Sequence, residues 1–346
     1  MRRHLNTIYV TTENAWLRKD GDNVVIEAEG TERGRVPLHM IEGIVCFGRP
    51  GASPALMAAC ADSGIALSFL TPQGRFLARI EGRRSGNVLL RRTQYRMADD
   101  PARSVPIVRG IVAAKAANQR TVLLRALRDH GSGMAAPVRT SMEGAERRLS
   151  HIARLAVLAD DVTILRGHEG EAAKVYFGAF DAMIHGARDD FAFTTRSRRP
   201  PLDRINALLS FLYAMLGHDC RSALEGVGFD PQVGFLHADR PGRASLALDL
   251  MEEFRPVFAD RLALSLVNRG QIKASDFRID EGGAVSLTDD GRKAVLVAWQ
   301  ERKKRQLRHP FIGETTPLGL VPHVQALLLS RHLRGDLDGY PPFIWK

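Results

Sequence analysis

Cysteine is scarce in this chain: Cys46, Cys60 and Cys220 are the only three among 346 residues. An odd count without paired spacing argues against a disulfide framework and points to free thiols in a reducing compartment. Cys-x-x-Cys and His-Glu-x-x-His are absent, which weakens any zinc-site reading. There is no Gly-x-x-x-x-Gly-Lys-Ser/Thr loop, no Gly-x-Gly-x-x-Gly after a strand and no Gly-x-Ser-x-Gly elbow. Those gaps argue against P-loop, dinucleotide-binding and nucleophile-elbow chemistry. No run of roughly 18 consecutive apolar residues occurs. The basic start Met1-Arg2-Arg3 leads into no apolar segment of signal-peptide length. A soluble, cytoplasmic protein is expected. If it is an enzyme, carboxylates and histidine remain to carry the chemistry.

What the chain does have is positive charge. Lys and Arg number 49 against 39 Asp and Glu, a formal net charge of +10. A basic excess favours a polyanionic partner, most commonly nucleic acid, with an ordinary basic enzyme as the plain alternative. At roughly 100–200 residues per domain the length suggests about two domains.

The first 98 residues read as mostly β. Residues 7–12 are rich in β-branched side chains. Residues 15–17 and 24–26 flank Asp20-Gly21-Asp22, a hairpin in which Gly21 supplies a positive φ. Residues 36–47 and 65–70 are further strand candidates. Between them Ser53 caps a short helix, with Pro54 at its first position. Pro72-Gln73-Gly74 is a tight turn before another strand at 75–80. The composition changes around Ala98-Asp99-Asp100-Pro101, where the domain boundary is placed. Apolar residues then recur at helical spacing over 107–128, with Gly131 as the closing residue. Further helices are predicted at 140–159, 162–185, 203–226, 246–268 and 288–308. A small hairpin is expected around Gly282-Gly283, and residues 339–343 are expected to be extended. The fold class is α+β multidomain: a β-rich N-terminal domain over 1–98 and a larger all-α domain over 104–346.

Two segments concentrate candidate chemistry. With a helical advance of about 100° per residue, Leu165, Glu169, Ala172, Ala173, Tyr176 and Phe180 share one face. A carboxylate on such a face is costly unless it is paired, protonated or metal-bound. Gly170 and Ala173 leave room beside it, Glu171 points towards solvent, and His168 lies off the face. The second segment ends an apolar run at His237, passes through a turn holding Asp239, and enters a helix. There Asp249 and Glu252, three apart, share a face. Each residue alone has an ordinary explanation: a salt bridge to a core arginine, a satisfied histidine, a charge near a helix N-terminus. Together, two or three carboxylates and an imidazole suit Mg²⁺ or Mn²⁺ and phosphodiester chemistry.

The same residues resemble those of the CRISPR-associated integrase, the universal endonuclease of spacer acquisition, over nearly the whole chain. The opening Leu5-Asn6-Thr7-Ile8-Tyr9-Val10 is similar to the family start. Glu169-Gly170, with Ala172-Ala173 and Tyr176-Phe177, resembles the first metal motif. Phe193, Arg198-Arg199-Pro200-Pro201, Asp203 and Asn206-Ala207-Leu208-Leu209-Ser210 resemble the central signature. His237, Asp249 and Glu252-Glu253-Phe254-Arg255-Pro256 resemble the last two metal motifs. The resemblance implies metal ligation by Glu169, His237 and Glu252, with Asp249 a nearby acidic residue that supports catalysis. His168 departs from the apolar residue usual there, and Glu252 stands where some relatives carry Asp. The implied reaction is transesterification, in which a 3′-hydroxyl of a captured DNA fragment attacks a phosphodiester at the CRISPR repeat. The implied partners are double-stranded DNA, a second copy of the chain joined through the N-terminal domain, and a small dimeric companion protein. Length and opening look most like the type I-C branch.

Two basic clusters are candidates for phosphate contacts. One comprises Arg75, Arg79, Arg83, Arg84, Arg91, Arg92 and Arg96; the other Arg302, Lys303, Lys304, Arg305 and Arg308. Arg196, Arg198 and Arg199, between the catalytic segments, are the first choice. A non-catalytic DNA-binding scaffold and a helical nucleotide phosphohydrolase remain the alternatives to an integrase.

Overall fold

The computed structural model describes residues 6–82 and 88–345. The chain divides into two compact units. The first comprises Met1–Ser85, Leu287–Arg305 and Pro317–Leu320; the second comprises Gly86–Ser286, Gln306–Thr316 and Val321–Lys346. The compositional change at 98–101 lies inside the second unit, and a late stretch of chain belongs to the first.

The first unit is built on two four-stranded sheets. Strands β1 (Thr7–Val10), β2 (Trp16–Asp20), β3 (Asn23–Ala28), β4 (Thr31–Pro37), β5 (Gly43–Phe47) and β6 (Gly51–Ala52) precede helix α1 (Pro54–Asp62). Strands β7 (Ala66–Leu70) and β8 (Phe76–Arg79) follow it. One sheet has the order β1-β5-β7-β8 and the other β4-β3-β2-β6. Gly21 turns β2 into β3 at φ 56°, as its sequence context requires. Strand β5 pairs in parallel with β1 and β7 and is buried at all five residues. A strand covered on both faces needs a continuous apolar run, and Gly-Ile-Val-Cys-Phe supplies it. Ser53 caps α1, its Oγ accepting from the Leu56 N–H at 3.3 Å. Leu17, Val24, Ile44, Leu56 and Leu67 are packed in one core. Cys46 and Cys60 are buried there as free thiols, both pushed up by burial, to about 12 and about 11.

The second unit contains α2 (Val88–Ala98), a helix inside the stretch expected to be β-rich. Leu90, Gln94 and Met97 bury one face of it, while the interleaved arginines obscure that spacing in the sequence. Then come α3 (Pro101–His130), α4 (Ala136–Leu158), α5 (Val162–Gly178), α6 (Arg204–Val227), α7 (Ser245–Glu252) and α8 (Arg261–Asn268). Gly131 follows α3 as expected, but at φ −60° it leads into a 3-10 turn rather than a left-handed cap. The continuous helix expected over 246–268 is broken. Pro256 lacks an N–H, and residues Arg255–Asp260 form a π-helical turn between α7 and α8. The helix expected over 162–185 ends at Gly178.

The all-α expectation for the C-terminal region is also corrected. Strands β9 (Phe277–Ile279) and β10 (Val285–Leu287) pair around the expected Gly282-Gly283 turn, and α9 (Asp289–Lys304) stops short of 308. Strands β11 (Gln306–Arg308) and β12 (Thr315–Pro317) then pair before α10 (Val321–Arg334), which the sequence reading did not foresee. No helix among the described residues is long and apolar enough to cross a membrane.

The tail beyond α10 is irregular yet deeply anchored. Tyr340 donates to Glu253 Oε1 at 2.6 Å, and the Phe343 N–H donates to Glu253 Oε2 at 2.7 Å. Asn118 donates to the carbonyls of Glu253 and Phe343 at 2.7 and 2.9 Å. Irregular backbone can be buried only when its polar groups are satisfied, and these side chains do that. Tyr340→Phe should cost about 1–3 kcal/mol, because it removes one donor from a buried carboxylate without changing shape. Urea unfolding should give a lower midpoint at unchanged slope.

A carboxylate and histidine cluster on three helices and a clamped loop

Glu169 lies at the start of the third turn of α5. Asp161 starts that helix, its Oδ1 accepting from the Thr163 and Ile164 N–H groups at 2.6 and 3.1 Å. Leu165, Ala172 and Tyr176 are buried on the predicted face, which fixes the direction in which Glu169 projects. Its side chain is 25% exposed. Glu171, expected in solvent, is partly exposed and pairs with Arg148 Nε at 2.6 Å.

Glu252, the last residue of α7, is fully buried. Its Oε2 is 2.6 Å from Lys115 Nζ, and its Oε1 is 3.0 Å from Arg255. The Lys115 ammonium also touches Glu169. Lys115 therefore bridges carboxylates from α5 and α7. Burial opposes ionisation of Glu252, but the charges of Arg255 and Lys115 outweigh it and hold the carboxyl well below its usual range. Neither Glu252 oxygen takes a well-aligned hydrogen bond despite these short ion-pair contacts. Two buried carboxylate oxygens thus retain unused lone pairs.

His237 sits on the loop between α6 and α7, and four separate anchors shape that loop. Gln94 of α2 donates to the carbonyls of Asp230 and Val233, both at 2.7 Å. Arg166 donates to the Leu236 carbonyl at 2.7 Å. Ser245 donates to the Ala238 carbonyl at 3.1 Å. Asp249, wholly buried, accepts from the N–H groups of Phe235, Leu236 and His237 at 2.6, 2.9 and 2.9 Å. Its Oδ1 is also 2.6 Å from His237 Nδ1. Gly234 allows this approach: a Cβ there would lie 2.8 Å from Asp249 Oδ2 and 2.9 Å from the Ser245 backbone. Asp249 therefore has no lone pair left over for a reacting group. It orients the imidazole and leaves Nε2 as the nitrogen available outward.

Behind this cluster, the Tyr213 ring is flanked by the guanidinium groups of Arg196 and Arg255, 5.4 and 5.0 Å from its centroid. Tyr213 donates to Asp260 Oδ1 at 2.6 Å. Burial pushes Asp260 up to about 6, despite the hydroxyls of Tyr213 and Tyr176 beside it. A carboxyl raised from its ordinary 3.8 contributes stability that is complete below that value and is lost as pH rises through about 6. The stability of the parent, relative to Asp260→Asn, should fall between pH 4 and 7 by an amount on the order of 3 kcal/mol, seen as a lower melting temperature. Parallel melting curves of the two proteins provide the check.

Other predicted contact residues fall in varied settings. Arg196 is committed inward, donating to Asn206 Oδ1 at 2.6 Å and Ser210 Oγ at 3.0 Å, whereas Arg198 and Arg199 are exposed. Arg83 and Arg84 lie outside the described residues. Arg75, Arg92 and Arg96 are exposed, and Arg91 is half-buried. Arg302 and Lys303 are buried, so only Lys304, Arg305 and Arg308 of the late cluster face solvent. Lys115 and Arg255 were not singled out as site residues in the sequence. A lone Lys inside Ile-Val-Ala-Ala-Lys-Ala-Ala was the available signal for the first.

The donor set suits a hard divalent cation: two carboxylates, one with unused buried oxygens, and an imidazole whose far nitrogen is free. Among the described residues, no three His, Cys, Asp or Glu side chains close on a single point. The Lys115 ammonium takes the place between Glu169 and Glu252.

Comparison with known proteins identifies the family. Residues 8–301 match the family described as CRISPR associated protein Cas1. A CRISPR-associated endonuclease Cas1 of Rhodospirillum rubrum is 59% identical over 347 residues, covering all of both chains. One from Chlorobaculum tepidum is 51% identical over 349 residues, again covering both completely. The solved Cas1 protein of Thermotoga maritima has the same fold, with a TM-score of 0.80 at 22% identity over 96% of this chain and 97% of that one. On the family match and these full-length identities, the chain belongs to the CRISPR-associated Cas1 family.

Proposed function

We propose that this chain is a metal-dependent DNA endonuclease and integrase that inserts short foreign DNA fragments into a CRISPR array by transesterification. Glu169, His237 and Glu252 hold Mg²⁺ or Mn²⁺. The observation that carries the site assignment is the meeting of Glu169 and Glu252, from helices far apart in sequence, on one buried cation beside an oriented imidazole. The endonuclease names of its full-length relatives support the reaction class.

When bound, the metal supplies Lewis acidity at the phosphate. The protein's own groups do the rest. Asp249 fixes His237 so that Nε2 points outward. Before the metal binds, Arg255 and Lys115 keep Glu252 ionised. The 3′-hydroxyl oxygen of the captured fragment forms a new bond to phosphorus as the bond to the displaced strand breaks. Exposed Arg198 and Arg199 contact phosphates, giving salt-sensitive, sequence-independent binding. The protein works as a homodimer through its β-rich N-terminal region, with double-stranded DNA and a small dimeric companion protein.

The test is a joining assay on supercoiled plasmid carrying a repeat. It contains short duplex DNA, the companion protein and Mn²⁺ or Mg²⁺, with wild type and Glu169→Ala run in parallel. Metal-dependent joining lost in the variant supports the reading. Joining retained by the variant overturns the site assignment.

A further inference from the structure

Lys115 is out of place by composition and in place by charge. It lies on α3 among buried Ile111, Val112, Ala113, Ala114 and Ala116, and is itself buried. An ammonium in such surroundings is strongly disfavoured unless its partners replace water. Its partners are Glu169 and Glu252, the two carboxylates assigned to the metal above. An ammonium and a divalent cation seek the same carboxylate oxygens. A divalent cation held by the same carboxylates would compete with the ammonium for their oxygens. Lys115 has four rotatable side-chain bonds, and Glu169, the more exposed carboxylate, lies on the accessible side of the contact.

We propose that Lys115 is a built-in counter-cation that occupies the metal position in the metal-free protein and is displaced when the metal enters. In the empty state it neutralises two facing carboxylates that would otherwise repel, so the site is assembled before loading. The contact has a cost: each loading event must break it, and metal affinity is set lower than the bare carboxylates would give. This inference rests on the metal assignment of Glu169 and Glu252.

The experiment is calorimetric titration of the full-length protein with Mn²⁺ in the absence of DNA. It compares wild type with Lys115→Met, Lys115→Gln and Lys115→Arg, together with Glu169→Ala. Removing the charge should tighten Mn²⁺ binding about tenfold or more in both the Met and Gln variants, because the divalent ion no longer competes with a tethered cation. The Arg variant keeps the charge and should not tighten. The metal-free Met variant should melt below wild type, and Mn²⁺ should raise its melting temperature by a larger increment. Affinities within twofold of wild type in the Met and Gln variants overturn the proposal. So does equal tightening in the Arg variant, which would make the effect one of packing. Mn²⁺ binding unaffected by Glu169→Ala would instead overturn the metal assignment itself. If the Met variant does not fold, the Gln variant carries the comparison.

Discussion

Glu169→Ala should lower metal-dependent cutting and joining by roughly three orders of magnitude or more while leaving DNA affinity within a few-fold of wild type. The two effects separate because they use different groups. On the proposed assignment, joining uses the carboxylate that meets Glu252 across the Lys115 contact. On the same proposal, backbone binding uses exposed cations such as Arg198 and Arg199, which the substitution does not touch. The change also has a structural side. Lys115 loses one of its two carboxylate partners and keeps Glu252, which Arg255 still supports. The fold should survive, and a melting curve taken beside the activity assay establishes that. Loss of joining with intact DNA binding and an intact melt is the expected result. Intact DNA binding with no joining even by the wild type, companion protein present, would favour the scaffold reading.

The second large effect is expected at Asp249. Replacement by Ala leaves three backbone N–H groups without an acceptor, those of Phe235 and Leu236 buried and that of His237 partly buried. It also removes the partner of His237 Nδ1. Each orphaned buried donor costs about 1–3 kcal/mol. The sum exceeds what a loop tolerates without rearranging, so the loop should move and take the imidazole with it. Joining should fall roughly 10- to 100-fold, the range seen when the partner that orients a metal-binding histidine is lost. Asp249→Asn keeps one acceptor oxygen and should fall between Ala and wild type in thermal stability. Melting curves and joining rates for the pair make the check, and unchanged rates in Asp249→Ala would show that His237 does not need to be held.

Local features proved readable where their causes lie within a turn or two of chain. Ser53 caps α1 because a short hydroxyl reaches the N–H three residues on, and Gly21 turns a hairpin because it lacks a Cβ. The buried face of α5 follows from the spacing of Leu165, Ala172 and Tyr176. Reading failed where a local signal was ambiguous. The apolar pattern of 246–268 runs through Pro256 without showing that α7 ends before it and a π-turn follows. In α2, Arg91, Arg92 and Arg96 concealed a face that Leu90, Gln94 and Met97 bury.

The candidate site divides along the same line. Sequence alone determined which residue types are present and on what local elements: Glu169 on a helix with one apolar face, His237 at the end of an apolar run, and Asp249 and Glu252 one turn apart. Those properties depend on neighbours a few positions away. Tertiary structure alone decided the partnerships. Asp249, which shares a helix face with Glu252, has its oxygens taken up by the 235–237 backbone and the His237 ring, whereas both Glu252 oxygens keep lone pairs to spare. Lys115 meets Glu169 and Glu252 only because α3, α5 and α7 pack together. The physical reason is that a buried charge takes its energy from whatever groups surround it in space. Those groups come from helices distant in the chain, and no sequence periodicity encodes which of them will meet.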